Sequence, residues 1–178
     1  MGHLSRITGL ALFLFVVGEA AAWDDAKKLK YSDDMADGKQ SIGGSGPMIE
    51  FELPSKTAKI AGLRIHGARY GTPQPPKESF LVFILNQDRS QTIDKEMLPL
   101  ALFERGEQKW TTVNFDKPIA IPERCWIALD FHAGPTKGVY VSYDTSTGGK
   151  HSLIGLPGTP TSEPKHGGDW MIEVILAE

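Results

Sequence analysis

The sequence predicts an all-β domain, a two-sheet antiparallel β-sandwich of jelly-roll-like architecture. Three observations predict it. About eight short apolar or alternating segments recur along the chain, which is the spacing of a sandwich or barrel. Turn residues separate them throughout, among them 19 Gly and 12 Pro. No segment carries a sustained helical period.

The elements follow in order. Met1–Arg6 carries one positive charge, Ile7–Gly18 is apolar, and Ala20-Ala21-Ala22 offers small residues to a signal peptidase. The apolar run falls short of the roughly 20 residues a membrane span needs. Residues 1–22 therefore read as a cleaved signal peptide, and the expected location is secreted or periplasmic, with no membrane insertion after cleavage. Glu19 inside the cleavage region supports the alternative, a retained anchor. Residues 23–46 read as a flexible N-terminal segment, a linker or a loosely attached first strand. Residues 47–178 read as the sandwich domain.

Ile49-Glu50-Phe51-Glu52-Leu53 alternates strictly, as a strand with one buried face does. From Ile60 to Tyr70, Leu63, Ile65 and Gly67 face one way and Arg64, His66 and Ala68 the other. Thr72–Pro76 closes that strand, because proline cannot donate to a ladder. Phe80–Leu85 is apolar on both faces and suits a covered central strand. Glu96–Arg105 has helical composition, but Pro99 would cost about 3 kcal/mol inside a helix. An irregular strand or crossing loop is expected there. Trp110–Phe115 reads as a strand broken by Lys117-Pro118. Cys125–Phe131 is the clearest alternation, Gly138–Tyr143 follows, and Ser152–Ile154 and Trp170–Leu176 complete the set.

Composition narrows the function classes. The formal net charge is −3, which provides no electrostatic drive toward nucleic acid or anionic lipid. Cys125 is the single cysteine, so no internal disulfide can form, and its apolar alternation with Ile127, Leu129 and Phe131 reads as core. No Gly-x-Ser-x-Gly elbow, HExxH helix, cysteine pair or phosphate-cradling loop is present. No catalytic residue, metal ligand or cofactor is assigned on this basis. The histidines 66, 132, 151 and 166 lack metal-ligand spacing. The acidic stretch Asp33–Gly38 offers carboxylates to a calcium ion, or simply solvates a linker.

The strongest constellation lies opposite the core face of Cys125–Phe131. Trp126, Asp130 and His132 share that outward face, with Asp130 and His132 as i, i+2 neighbours. Arg64 and His66 are similarly paired on their own strand. An outward Trp with Asp, His and Arg suits a sugar or a peptide, by an apolar plate plus directional hydrogen bonds. The plain alternative is a solvated face with Trp126 covered by a loop. Tyr143–Ser152 gathers hydroxyls, Asp144 and His151 in one segment, equally the composition of a polar hairpin.

Four stretches carry a resemblance: Asp37–Gly46 (DGKQSIGGSG), Ile65–Gly71 (IHGARYG), Lys137–Asp144 (KGVYVSYD) and Gly167–Ile172 (GGDWMI). Together they resemble a group of uncharacterised extracytoplasmic bacterial modules, found alone or appended to secreted or membrane-bound proteins such as peptidases. The resemblance spans about Ser32 to Leu176. It implies an accessory β-sandwich and no activity.

The sequence therefore leads to a non-catalytic accessory module binding a carbohydrate, peptide or protein through Trp126, Asp130 and His132, supported by Arg64, His66 and Tyr143. Two alternatives stand beside it: a small secreted hydrolase using Asp130, His132 and Asp144, and a purely structural domain.

Overall fold

The computed structural model describes residues 27–177, so the export-signal reading of residues 1–22 lies outside the described residues. Twelve strands form among the described residues: β1 (Lys28–Leu29), β2 (Gly38–Gln40), β3 (Pro47–Glu52), β4 (Lys59–Gly71), β5 (Ser79–Leu85), β6 (Thr92–Pro99), β7 (Lys109–Ala120), β8 (Arg124–Asp130), β9 (Lys137–Asp144), β10 (Ser152–Ile154), β11 (Asp169–Trp170) and β12 (Ile172–Leu176). They make two antiparallel sheets. One has the order β10-β3-β8-β5-β6; the other runs β1-β12-β4-β9-β11, with β2 on β9 and β7 on β4. The chain is a β-sandwich. No helix among the described residues is long and apolar enough to cross a membrane.

The core is what the alternation demands. Ile49 and Phe51 of β3, Ile127 and Leu129 of β8, and Leu63 and Ile65 of β4 all turn inward and are buried. Phe80, Phe103 and Phe131 close one end, with ring centroids 5.1 to 5.5 Å apart. Cys125 is fully buried, and burial pushes its thiol up to about 12, which removes the reactive thiolate.

One sequence expectation is corrected in detail. The Lys117-Pro118 pair does not end its strand: β7 continues to Ala120. Its pairing with β4 shifts between Ile60↔Ile119 and Gly62↔Asn114, so Pro118 falls in a bulge where no ladder donor is needed. Residues 23–46, expected as a linker or a loosely attached first strand, include β1 and β2 of the larger sheet, and Tyr31 stacks on His151 at 3.6 Å. The ambiguous stretch resolves into edge strand β6, ending at Pro99, then a 3-10 turn over Leu100–Leu102. That turn drops Leu100 and Phe103 into the core.

One irregularity of the larger sheet positions the site. β7 lines one edge of β4 from Lys59 to Gly67. The opposite edge is shared, β12 taking Ile60–Ile65 and β9 taking Gly67–Gly71. His66 stands at the change of partner. Its N–H donates to the Met171 carbonyl, and the Met171 N–H donates to the Ser142 carbonyl, both at 2.9 Å. Met171 thus joins β4, β9 and the β11–β12 chain at one point.

Candidate functional site

The six residues singled out from sequence fall into separate groups. Trp126 is on the outer face of the five-stranded sheet, as expected. Its Nε1 donates to the Gln87 carbonyl at 3.0 Å, and the Arg89 guanidinium lies 5.1 Å from its ring centroid. It packs with Met48, Leu85 and Ala128 in a small cluster outside the main core. The 86–90 turn therefore engages the indole that the sequence reading left open.

Asp130 ends β8, and the chain turns immediately after it. His132 has φ 47°, a left-handed conformation uncommon outside glycine. Its N–H donates to Asp130 Oδ1 at 2.8 Å, and its Nε2 lies 3.4 Å from Asp130 Oδ2. The two side chains do meet, but around an exposed turn and not as neighbours on one strand face. Asp144 belongs to β9 in the other sheet, so the three groups of the hydrolase alternative do not share a sheet. Both Asp144 oxygens are occupied, Oδ1 by the Ser146 N–H and Oδ2 by the Asp33 N–H. Burial alone would raise its pKa, but hydrogen bonds from the side chain and backbone of Ser146 and from Asp33 bring it below the ordinary carboxylate value.

Arg64 and His66 lie on the outer face of the seven-stranded sheet, on the opposite side of the sandwich from Trp126. Arg64 Nη1 donates to Glu173 Oε2 at 2.7 Å, and its guanidinium sits 4.8 Å over the Trp110 ring. His66 Nδ1 is hydrogen-bonded to Ser142 Oγ at 2.9 Å and meets Trp110 edge-on. Tyr143 points to the inner side instead. Its ring stacks on His166 at 3.8 Å, and its hydroxyl so crowds Gly38 that a Cβ there would lie 2.3 Å away.

The carboxylates of the acidic stretch have divergent partners. Asp33 Oδ1 accepts from the Met35 N–H at 2.8 Å, Asp34 pairs with Lys30, and Asp37 accepts from Thr145.

Two histidines are held below their ordinary pKa. Burial does this for His66, with a further contribution from Arg64 against the opposing Asp34; burial does it for His166 against the opposing Asp169. The unfolded chain then takes up these protons first, so stability falls as pH drops through the ordinary imidazole value of 6.5. Urea unfolding at about pH 7.5 and about pH 5.5 checks this. A lower midpoint at the acid pH is expected, and a His66→Gln, His166→Gln double variant should lose less of it.

Sequence reasoning missed a recess of about 470 Å³ at the far end of β4, lined by Lys39, Arg69, Tyr70, Pro73, Arg105 and Tyr140. Ala68 pairs with Tyr140 and Tyr70 with Gly138, which sets both tyrosines outward on the same face as Arg64 and His66. Their ring centroids are 4.6 Å apart with a 38° tilt. Tyr70 is fixed by its hydroxyl, which donates to the Gly134 carbonyl at 2.8 Å. Lys39 Nζ lies 5.3 Å over the Tyr140 ring and 3.2 Å from Gln108 Oε1. Arg69 is buried, its Nη1 donating to the Thr72 carbonyl at 2.6 Å and its Nη2 to that of Pro73. Arg105 is bridged to Arg69 through the backbone. From His66 to Tyr70 the strand advances about 13 Å, so Trp110 and the tyrosine pair mark two ends of one aromatic and basic face. No protein-family model matches this chain and no curated protein matches it, so the candidate site rests on its geometry.

Proposed function

We propose that this chain is a non-catalytic, extracytoplasmic binding module that takes a carbohydrate on the outer face of its seven-stranded sheet. One observation carries the reading: the adjacent rings of Tyr70 and Tyr140 line an open recess together with Lys39, Arg69 and Arg105. Aromatic plates beside directional hydrogen-bond donors are what sugar rings require. The export-signal pattern of residues 1–22 and the resemblance to accessory modules support a role outside the cytoplasm. The site thereby moves away from Trp126, whose indole is engaged by Gln87 and Arg89. Arg64 and His66 remain on the binding face. The hydrolase alternative draws no support from Asp144, both of whose oxygens cap backbone N–H groups.

Binding of the purified protein to immobilised glycans tests this. Saturable binding is expected, and Tyr140→Ala should weaken it by about tenfold or more, with Trp126→Ala close to the parent. Loss with Trp126→Ala instead would return the site to the five-stranded sheet. Absence of glycan binding would overturn the reading.

A further inference from the structure

We infer that the glycan is acidic, built of sugars that carry carboxylate or sulfate groups; this rests on the binding face proposed above. The recess collects three cations, Lys39, Arg69 and Arg105, and no carboxylate side chain among the described residues lines it. That is a local reversal of sign in a chain of net charge −3. None of the ion pairs among the described residues includes any of the three. Lys109 and Lys137 show the contrast, each neutralised by a glutamate, Glu104 and Glu78.

Arg69 is the informative member. It is 6% exposed, yet among the described residues its guanidinium is satisfied only by two backbone carbonyls, Thr72 and Pro73. Those carbonyls supply hydrogen bonds and no counter-charge, so the arginine keeps its positive field beside the recess it helps to line. In a poorly solvated position that field is weakly screened. Arg105, exposed and bridged beside it, is free to present its fork of donors to a carboxylate or sulfate. Lys39 covers the Tyr140 edge of the same recess. An acidic sugar stacked on the tyrosines would carry its charge against this group of cations, and a neutral sugar would leave them unused.

The experiment compares polygalacturonate, bearing carboxylate alone, and dextran sulfate, bearing sulfate alone, with neutral cellulose and xylan oligosaccharides. Binding to at least one acidic polymer is expected. Lys39→Ala and Arg105→Ala should each weaken it by about tenfold, whereas Lys165→Ala, an equal charge change at an exposed loop, should not. Raising salt from about 0.1 M to about 1 M, which cuts the screening length from about 10 Å to about 3 Å, should weaken it strongly. Equal or preferred binding of neutral oligosaccharides would overturn this inference while leaving the glycan-binding reading intact. Acidic binding that survives both substitutions would overturn it too, as would tighter capture of a single-stranded oligonucleotide. Absence of any glycan binding would remove both.

Discussion

Trp170→Ala is expected to destabilise the fold by about 4 kcal/mol, lowering the melting temperature by about 10 °C for a domain of this size. Trp170 is 1% exposed and belongs to the main core. Its backbone pairs with Tyr143 in the seven-stranded sheet. Its indole Nε1 donates to the carbonyl of Leu153, in β10 of the other sheet, at 2.9 Å. Its backbone N–H is bonded to Ser152 Oγ, also at 2.9 Å. One side chain therefore fills the core and joins the two sheets. Alanine removes the apolar volume, leaves a cavity, and strands the Leu153 carbonyl, so the transfer, cavity and unpaired-acceptor costs act together. Trp170→Phe keeps part of the aromatic filling, so it leaves a smaller cavity while still losing the donor. A loss of about 1–2 kcal/mol is expected for it. Thermal unfolding followed by circular dichroism measures both. An alanine variant melting within about 2 °C of the parent would mean that the sheets are held together elsewhere.

The sandwich was legible because burial imposes a period of two. Glu50 and Glu52 alternating with Ile49, Phe51 and Leu53 can satisfy only a strand with one wet face. The same logic identified Cys125, Ile127 and Leu129 as inward. It failed where a tertiary partner decides the local structure. Pro118 breaks an isolated strand pattern, yet β4 tolerates it through a shift of register. β1 and β2 are two and three residues long, too short to leave a period, and exist because β12 and β9 offer them edges. His132 followed the strand parity on paper, but the chain turns one residue earlier. The recess was illegible for a different reason. Lys39, Arg69, Arg105 and Tyr140 come from four separate segments, and the pairing of β2 and β4 with β9, together with the Arg69–Arg105 bridge, assembles them. Within β4, Arg64, His66 and Ala68 share the outward parity that the alternation implies. Its extension to Tyr70 was the available signal.

Arg64→Met is expected to cost about 3 kcal/mol, because it leaves the Glu173 carboxylate buried without its counter-charge. Glu173 has a side chain 2% exposed, against 24% for Arg64, so the carboxylate is the member that cannot recover hydration. The two residues face each other across the β4–β12 ladder, and the arginine is further held over Trp110. Removing both charges should be far milder than removing one. The Arg64→Met, Glu173→Leu pair is expected within about 1–2 kcal/mol of the parent, since an apolar pair of similar volume avoids the desolvation penalty altogether. Urea unfolding of the parent, both single variants and the double variant gives the coupling energy directly, expected at about 2 kcal/mol. A cost under about 1 kcal/mol for Arg64→Met would show that Glu173 reaches water when its partner leaves. The same four proteins separate structure from recognition on this face. If the Arg64–Glu173 pair serves the fold alone, the stable double variant should bind acidic glycan like the parent. If Arg64 also meets the ligand beside Trp110, the double variant should fold normally and bind more weakly.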